Sequence, residues 1–367
     1  MKILQKFLLH IYNTLWIFKE NKAIKTFFAR KMIICVCLLL IIKQTKGVIN
    51  MNNLRKIGLS ALAGSLAISS AHAADFSVSG GASLTFDDPN RGFSDRGNGF
   101  YMGDSLKFNA SGETDNGIGV SVYYEVDGSV MDDYNMKLSG DFGTLTFDGH
   151  GGSSAFGAVD DKTPNAYEEA WDVIDTNGTT TGGTPTVING GGTDNMFIYT
   201  SPTVSGVTIT AAYVNHVAVA AESYMDFAIS VSPEMVEGLT LGFASADHTI
   251  GTNRDQEETT MYATYASGPF TVGVQSSELD DTTASSDLES IAYGISYAIN
   301  DDLSIGYSYH ELETETAGDA DQQSTGVSFS YTQGGITLGG AMNEVDNMGG
   351  TGTTDREGYE FGLSFAF

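Results

Sequence analysis

Residues 74–367 contain no cysteine, because both cysteines of the chain precede them, and they hold seven lysines and arginines against 45 aspartates and glutamates. The missing thiols exclude disulfides, zinc thiolates, iron–sulfur clusters and cysteine nucleophiles from this part of the chain. The shortage of basic residues argues against nucleic-acid binding, since phosphate contacts depend on clustered lysine and arginine. Hydrophobic residues make up 41% of the sequence and glycine is abundant, with 44 residues. This composition fits neither a helical membrane bundle nor a leucine-rich helical core.

A basic segment, an apolar segment and a small-residue site follow one another in residues 51–73. Two basic residues precede the apolar stretch 57–68, and an Ala-His-Ala sequence ends at Ala73. This order is typical of a secretory signal peptide, so we expect the mature protein to comprise residues 74–367. The alternative is a short core helix.

Residues 1–50 contain a ten-residue apolar run at 33–42, which basic residues flank on both sides. Such a run is too short to cross a bilayer comfortably as a helix. Because a complete signal peptide begins at Met51, we interpret residues 1–50 as an upstream extension that is not part of the mature protein. The alternative is an inner-membrane anchor, and N-terminal sequencing of the precursor distinguishes the two.

Apolar and polar residues alternate repeatedly beyond residue 74, whereas no helical period persists. Strict alternation is the pattern of a β-strand with one apolar face. Sixteen segments show it or, in the sixth, a less regular form of it: 76–86, 106–110, 118–126, 134–138, 145–147, 195–201, 207–213, 225–231, 239–243, 261–265, 270–274, 291–297, 303–309, 327–331, 336–342 and 359–367.

The second face of these strands is rich in Gly, Ser, Thr, Asn and acidic residues, so it cannot form a close-packed core. It faces either the water around a soluble sandwich or a water-filled lumen. The connections alternate between short and long, with one brief exception at 127–131. This rhythm, the even strand number and a last strand that ends at Phe367 predict a closed antiparallel barrel that spans a membrane.

Three stretches resemble the trimeric general porins of Gram-negative bacteria, in particular the shorter, alphaproteobacterial type. Residues 140–147 (GDFGTLTF) resemble the turn and strand before the constriction loop of that family. Residues 199–202 (YTSP), followed by Gly206, resemble the segment after that loop, and the alternation that ends at Phe367 resembles the terminal strand. One departure is the scarcity of arginine, since the family usually places several arginines opposite the constriction loop.

The resemblance implies an all-β, 16-stranded transmembrane barrel in the outer membrane, with the third long loop folded inward. It implies a homotrimer in contact with outer-membrane lipid and lipopolysaccharide. It also implies that Phe367 belongs to a signal that the barrel assembly machinery reads. The expected function is passive diffusion of ions and small hydrophilic solutes.

The third long loop, residues 150–194, carries many carboxylates against the single cation Lys162. Inside a lumen, such carboxylates concentrate cations, so we expect the loop to narrow the pore and to favour cations. Tyr167 and Trp171, on a short helix within 166–174, are expected to anchor the loop to the wall. The alternative is a solvated acidic loop on the outer surface. The acidic residues expected at the constriction are Asp160, Asp161, Glu168, Glu169, Asp172 and Asp175.

Strand parity predicts which charged residues of the wall point into the lumen. Lys107 and Lys137 each lie between two outward apolar residues, and Glu125 shares their inward parity. With acidic loop residues across from them, the lysines would set a transverse field in the narrowest zone. The alternative is that they lie away from the constriction.

Two groups of carboxylates in the later loops suggest calcium, namely Asp280, Asp281 and Asp287 in one loop and Asp319 and Asp321 in another. The sequence has no EF-hand spacing, so charge repulsion and solvation are the competing explanation and no cofactor is expected. Enzymatic activity is not expected either, because no nucleophile elbow, zinc-binding histidine pair or phosphate-binding loop occurs.

The sequence therefore predicts a porin that prefers cations. A second hypothesis keeps the barrel but makes it selective for a substrate such as a sugar, which would give a saturable conductance that the solute blocks. A third is a soluble or surface-attached acidic β-sandwich, which would remain in the aqueous fraction without detergent.

Overall fold

The computed structural model describes residues 75–87, 99–128, 130–172, 187–191, 194–215, 223–250, 254–282, 287–314, 319–350, 352 and 355–367. The upstream extension and the signal peptide predicted for residues 1–73 lie outside these ranges. Within them, no helix has the length and apolar composition that a membrane crossing requires.

The described residues form sixteen antiparallel strands, each paired with its neighbours in sequence, and the first strand pairs with the last to close a barrel. All sixteen predicted strands are confirmed. A short 3-10 helix, Met348–Gly350, precedes the last strand. The strands are β1 Asp75–Asp87, β2 Phe100–Glu113, β3 Gly119–Asp127, β4 Val130–Gly140, β5 Gly143–His150, β6 Met196–Thr200, β7 Val207–Asn215, β8 Ser223–Val231, β9 Leu239–Thr249, β10 Asp255–Ser267, β11 Phe270–Asp281, β12 Leu288–Ala298, β13 Leu303–Thr314, β14 Gln322–Gln333, β15 Ile336–Asp346 and β16 Arg356–Ala366.

The apolar face of the strands points outward, which is the reverse of a soluble protein. In β13 the outward Ile305 is 44% exposed, whereas the inward Ser308 is only 2% exposed. Outward aromatic rings also pair across neighbouring strands, with centroid separations of 4.6 Å for Phe270–Tyr297 and 4.8 Å for Tyr293–Tyr309. An apolar outer band around a polar interior is the surface that a barrel presents to lipid.

Backbone hydrogen bonds at the chain terminus complete the closure. The Phe367 amide donates to the Gly80 carbonyl, and the Gly80 amide donates to the Phe367 carbonyl, both at 2.9 Å. The Phe367 ring lies over Gly80, where any Cβ would collide with it. Closure leaves no free strand edge, as a lipid environment demands.

The two motifs on either side of the third loop touch each other at the rim that carries the short turns. Tyr199 Oη donates a 2.6 Å hydrogen bond to the Phe142 carbonyl. Gly143 has φ +100°, and a Cβ there would lie 3.0 Å from Pro202 Cδ, so glycine is needed for both conformation and space. The spacing of these motifs therefore reflects a packed contact between the β4–β5 turn and the β6–β7 connection.

Candidate pore constriction

The third loop leaves β5 after His150 and its first described part, residues 151–172, folds against the inner wall of the barrel. Its first anchor is the carboxylate of Asp226 on β8, which is 2% exposed. Asp226 accepts hydrogen bonds from the Phe156 amide (2.6 Å), from Tyr224 Oη (2.9 Å) and from the Ala212 amide (3.1 Å). Three donors offset the desolvation of this buried carboxylate, and the one from the Phe156 amide holds the start of the loop inside the barrel.

Gln275 on β11 forms the second anchor. Its Nε2 donates to the carbonyls of Val159 (2.9 Å) and Asp160 (2.7 Å), and its Oε1 accepts from the Lys162 amide at 2.7 Å. One side-chain amide thus satisfies three backbone groups of a loop segment that has no regular secondary structure of its own.

Three further hydrogen bonds tie the loop to the last strands. The Ala166 amide donates to Ser328 Oγ at 3.0 Å. Asn343 Nδ2 donates to the Glu169 carbonyl at 2.6 Å, and Tyr167 Oη donates to Glu360 Oε1 at 2.8 Å. The loop therefore contacts the inner wall from β8 to β16, and its described residues are not a surface loop.

The aromatic anchors lie as expected, although no α-helix forms within the described part of residues 166–174. The Trp171 ring packs edge-on against His310 of β13 at a centroid distance of 4.7 Å, while Tyr167 reaches β16. In place of the predicted helix, residues 166–171 form bends and turns, and Asp172 has 3-10 geometry. Hydrogen bonds with the wall satisfy backbone groups of this segment individually, so these groups do not need the hydrogen bonds of a helix.

A row of inward glycines makes room for the loop. Each of the six strands β11 to β16 places a glycine where the loop passes. A Cβ at any of these glycines would collide with an atom of the loop. At Gly294, for example, a Cβ would come within 3.2 Å of three backbone atoms of Pro164. The glycines are Gly273, Gly294, Gly306, Gly326, Gly339 and Gly362.

Three of the predicted acidic residues of the loop form one coupled group. Burial and the neighbouring Glu169 raise the pKa of Asp161 and of Asp172, each to about 8. Glu169 itself stays ionised: although burial opposes this, hydrogen bonds from Asp172, Asp161 and Asn165 (Nδ2 to Oε1, 2.7 Å) lower its pKa. Like charges held this close share protons, so near neutral pH the group carries less than its formal charge.

The remaining predicted loop acids are less tightly coupled. Burial raises the pKa of Glu168 to about 7, and Glu360 and Glu169 add to the shift. Burial raises the pKa of Asp160 to about 6, against the attraction of Lys162. Asp175 lies outside the described residues. The loop thus carries a negative charge that grows as the pH rises through neutrality.

The three predicted wall residues lie on β2, β3 and β4, whereas the hydrogen bonds that hold loop residues 156–169 go to β8, β11, β14, β15 and β16. Lys107 on β2 faces Glu125 on β3, with 3.5 Å between Nζ and Oε1. Glu125 also accepts hydrogen bonds from the hydroxyls of Ser105 and Tyr123. Lys137 on β4 is exposed to the lumen. The Lys107 charge is therefore partly offset within the wall itself.

The structure separates the side chains of Asp280 and Asp281, two of the predicted calcium ligands. Asp280 and Asp281 are consecutive residues of a regular strand, so their side chains point to opposite faces. Asp281 instead accepts hydrogen bonds from Arg254 Nε (2.8 Å) and Gln256 Nε2 (2.8 Å), and its amide donates to Asp287 Oδ1 (2.7 Å). Among the described residues, three groups bring metal-binding atoms within 4.8 Å of one another: Asp132, Asp133 and His150; Glu168, Glu169 and Asp172; and Glu311, Glu313 and Asp321.

Several residues that hold the loop were not found from the sequence, namely Tyr224, Asp226, Gln275, Ser328 and Asn343. They are ordinary inward polar residues, and their hydrogen-bond partners in the loop are more than 60 positions away in the sequence. The glycine row did leave a signal, because glycine occupies an inward position in six successive strands.

Comparison with known proteins identifies the family. A family model described as Gram-negative porin matches residues 58–350. Among solved structures, the trimer form of OmpT, an outer membrane protein of Vibrio cholerae, is similar with a TM-score of 0.60 at 12% identity, covering 81% of this chain and 100% of that one. An anion-selective porin from Comamonas acidovorans gives 0.55 at 13%, and a substituted form of the Rh. blastica porin gives 0.53 at 14%, each covering 80% of this chain and 100% of its own.

No curated protein sequence matches significantly. At these identities the structural likeness shows the fold, whereas the family model covers most of the chain and shows the family. The sixteen-stranded closed barrel agrees with both. The chain belongs to the Gram-negative porins and is a β-barrel of the outer membrane.

Proposed function

We propose that this porin is a passive, water-filled channel that prefers cations and catalyses no reaction. The observation that carries the proposal is the excess of carboxylates on the third loop, where Asp160, Asp161, Glu168, Glu169 and Asp172 accompany one lysine. Ions and small hydrophilic solutes would pass between the loop and the strands that it leaves uncovered.

The physical basis is the field inside a narrow aqueous path bounded by lipid. Carboxylates there raise the local concentration of cations, because the low-dielectric surroundings focus the potential. On the facing strands, Glu125 partly offsets Lys107, so Lys137 remains there as an exposed cation against the five carboxylates of the loop. The fold does not determine the sign of the selectivity, because an anion-selective porin has a similar fold. The proposed cation preference therefore rests on the charged residues of this chain.

The reversal potential of the mature protein in a planar bilayer under a KCl gradient tests the proposal. A triple variant, Glu168→Gln, Glu169→Gln and Asp172→Asn, should reduce the cation preference. The matched control removes the same number of carboxylates elsewhere, by Glu311→Gln, Glu313→Gln and Asp321→Asn, and should change it less. Anion selectivity of the unmodified protein, or an equal effect of both variants, would contradict the proposal.

We also propose a homotrimer with three separate pores, surrounded by outer-membrane lipid and lipopolysaccharide. The trimer form of the similar Vibrio cholerae protein supports this assembly. Chemical cross-linking in native membranes, together with conductance steps in groups of three, tests it. A monomer in the membrane and single steps would exclude it.

A further inference from the structure

A second group of charged residues lies near the foot of the third loop, at the rim that carries the longer connections. One oxygen each of Asp132 and Asp133 on β4 and one ring nitrogen of His150 on β5 lie within 4.8 Å of one another. His150 Nδ1 is 3.7 Å from Asp133 Oδ1. This group is separate from the loop carboxylates that we assign to the constriction.

Consecutive strand residues normally point to opposite faces, so the approach of Asp132 and Asp133 to one point needs a local cause. The register supplies it. Tyr124 pairs with Tyr134 and Val126 pairs with Met131, so that Glu125 alone on β3 faces both Asp132 and Asp133 on β4. This is a β-bulge, which redirects side chains and is common at barrel rims and beside functional sites.

A second bulge follows between β4 and β5. Tyr134 pairs with His150 and Asn135 pairs with Asp148, so Gly149 has no counterpart on β4. The two irregularities lie side by side, and together they bring two residues of β4 and the last residue of β5 to one place. A regular ladder over the same residues would separate them.

Asp148 is a further observation that points to a cation. It is 4% exposed, and although the His150 amide donates to its carboxylate, no described residue donates a hydrogen bond to its Oδ1. It lies close enough to Asp133 for the two charges to interact, and Lys137 is the cation that acts on it. An ionised carboxylate oxygen that is buried without a partner is costly, and a bound cation removes that cost.

The chain after β5 leaves space for these carboxylates. A Cβ at Gly151 would collide with the Asp133 carboxylate, and a Cβ at Gly152 would collide with the Asp148 carboxylate. Both glycines therefore allow the backbone to pass directly beside the two side chains. Any other residue would push the carboxylates away from the group.

We propose that Asp132, Asp133 and His150, with Asp148 close by, bind a divalent transition-metal ion of the Zn²⁺ type at the pore mouth. Imidazole nitrogen combined with carboxylate oxygen suits Zn²⁺ and Cu²⁺, whereas Ca²⁺ prefers oxygen ligands only. Ligands of a tetrahedral Zn²⁺ site lie about 3.3 Å apart, so a small inward movement of these side chains completes the site. The bound ion would place positive charge beside the path of permeating cations.

Isothermal titration of untagged mature protein in detergent with ZnCl₂ tests the site. We expect one saturable Zn²⁺ equivalent per chain, and we expect His150→Gln and Asp133→Asn each to weaken binding by about tenfold or more. The matched control is the triple variant of Glu168, Glu169 and Asp172, which removes the other group near the constriction and should retain Zn²⁺ affinity. Absence of saturable binding, or unchanged affinity in His150→Gln, would overturn the proposal.

A measurement on the unmodified protein guards against variants that fail to fold. Cu²⁺ bound at one equivalent should give an electron paramagnetic resonance spectrum with hyperfine coupling to an imidazole nitrogen. A spectrum with oxygen ligands alone would overturn the assignment of His150. Because no current is measured, these results do not depend on whether the pore prefers cations.

Discussion

The two sides of the barrel wall share one alternating pattern but differ in the residues that they direct inward. The loop-bearing wall, which comprises the inward faces of β8 and β11–β16, presents glycines and buried hydrogen-bonding groups such as Gln275 and Asn343. The open wall, formed by the inward faces of β2 and β3 and of β4 around Lys137, presents charged side chains such as Lys107, Glu125 and Lys137. The inward residues of each wall therefore suit its surroundings, which are the packed loop on one side and water on the other.

A packed loop needs space and hydrogen-bond partners, because its backbone groups lose water when it docks. Glycines provide the space and the amides provide the partners. Water, in contrast, solvates the lysines of the open wall at little cost, while Lys107 and the hydroxyls of Ser105 and Tyr123 stabilise the buried Glu125 carboxylate. The same alternation thus serves two environments within one barrel.

Removing Phe367 should have the largest effect, because it weakens the β1–β16 seam that closes the barrel between the two walls. The deletion removes a pair of hydrogen bonds with Gly80, which together contribute roughly 2 kcal/mol, and an outward ring. We expect a marked loss of folded protein in the outer membrane, measured by heat-modifiable electrophoresis. The control Phe367→Tyr keeps the backbone bonds and the ring and should assemble. Normal yield after the deletion would show that the seam does not depend on this residue.

Filling the glycine row should separate the loop from its wall. In Gly294→Ala the new Cβ meets the Pro164 backbone, and overpacking of this kind costs about 1–3 kcal/mol. We expect the loop to shift and single-channel conductance and its noise to rise. The same change at Gly112 in β2, where nothing lies within 4 Å of an added Cβ, is the control and should leave conductance unchanged. Equal conductance of both variants would mean that the glycine row does not position the loop.

Raising the pH should change the loop more than the rest of the pore. Asp160, Glu168, Asp161 and Asp172 have pKa values of about 6, 7, 8 and 8, so they ionise in turn and the cation preference should rise between pH 5 and 9. Because these pKa values are raised by docking, protons favour the docked loop, and its stability should fall from about pH 4 to about pH 8. Reversal potentials across this range measure the first effect, and protease resistance of the loop measures the second. The triple variant of Glu168, Glu169 and Asp172 should flatten the selectivity profile; a flat profile in the unmodified protein would contradict these assignments.

Lys107→Gln should have the smallest effect, because it removes one member of an ion pair whose lysine is 43% exposed. Glu125 is only 8% exposed, but it keeps the hydrogen bonds from the Ser105 and Tyr123 hydroxyls, so we expect a loss of about 1 kcal/mol and a protein that still folds. Glu125 would then lack its nearest cation, and we expect a small increase in cation preference. Glu125→Gln is the opposite control and should decrease it. Reversal potentials that move in the same direction for both variants would show that this pair does not act through its charge.

The barrel could be predicted because each strand carries its own evidence. The alternation predicted all sixteen strands, and parity placed Lys107 and Glu125 on one face, where the register pairs them. The residues that hold the third loop could not be predicted in the same way. Gln275 contacts Asp160 across 115 positions, and nothing near either residue in the chain indicates the other.

Two pairs of consecutive aspartates show which features the sequence determines and which only the tertiary structure determines. Alternation along a strand is a local property of the backbone, so the sequence by itself determined the strand number, the apolar outer face and the acidic character of the loop. It could not distinguish Asp132–Asp133 from Asp280–Asp281. The second pair lies on a regular strand and is divided between two faces, whereas a bulge brings the first pair together. A bulge depends on the register between neighbouring strands, and only the closed barrel determines that register.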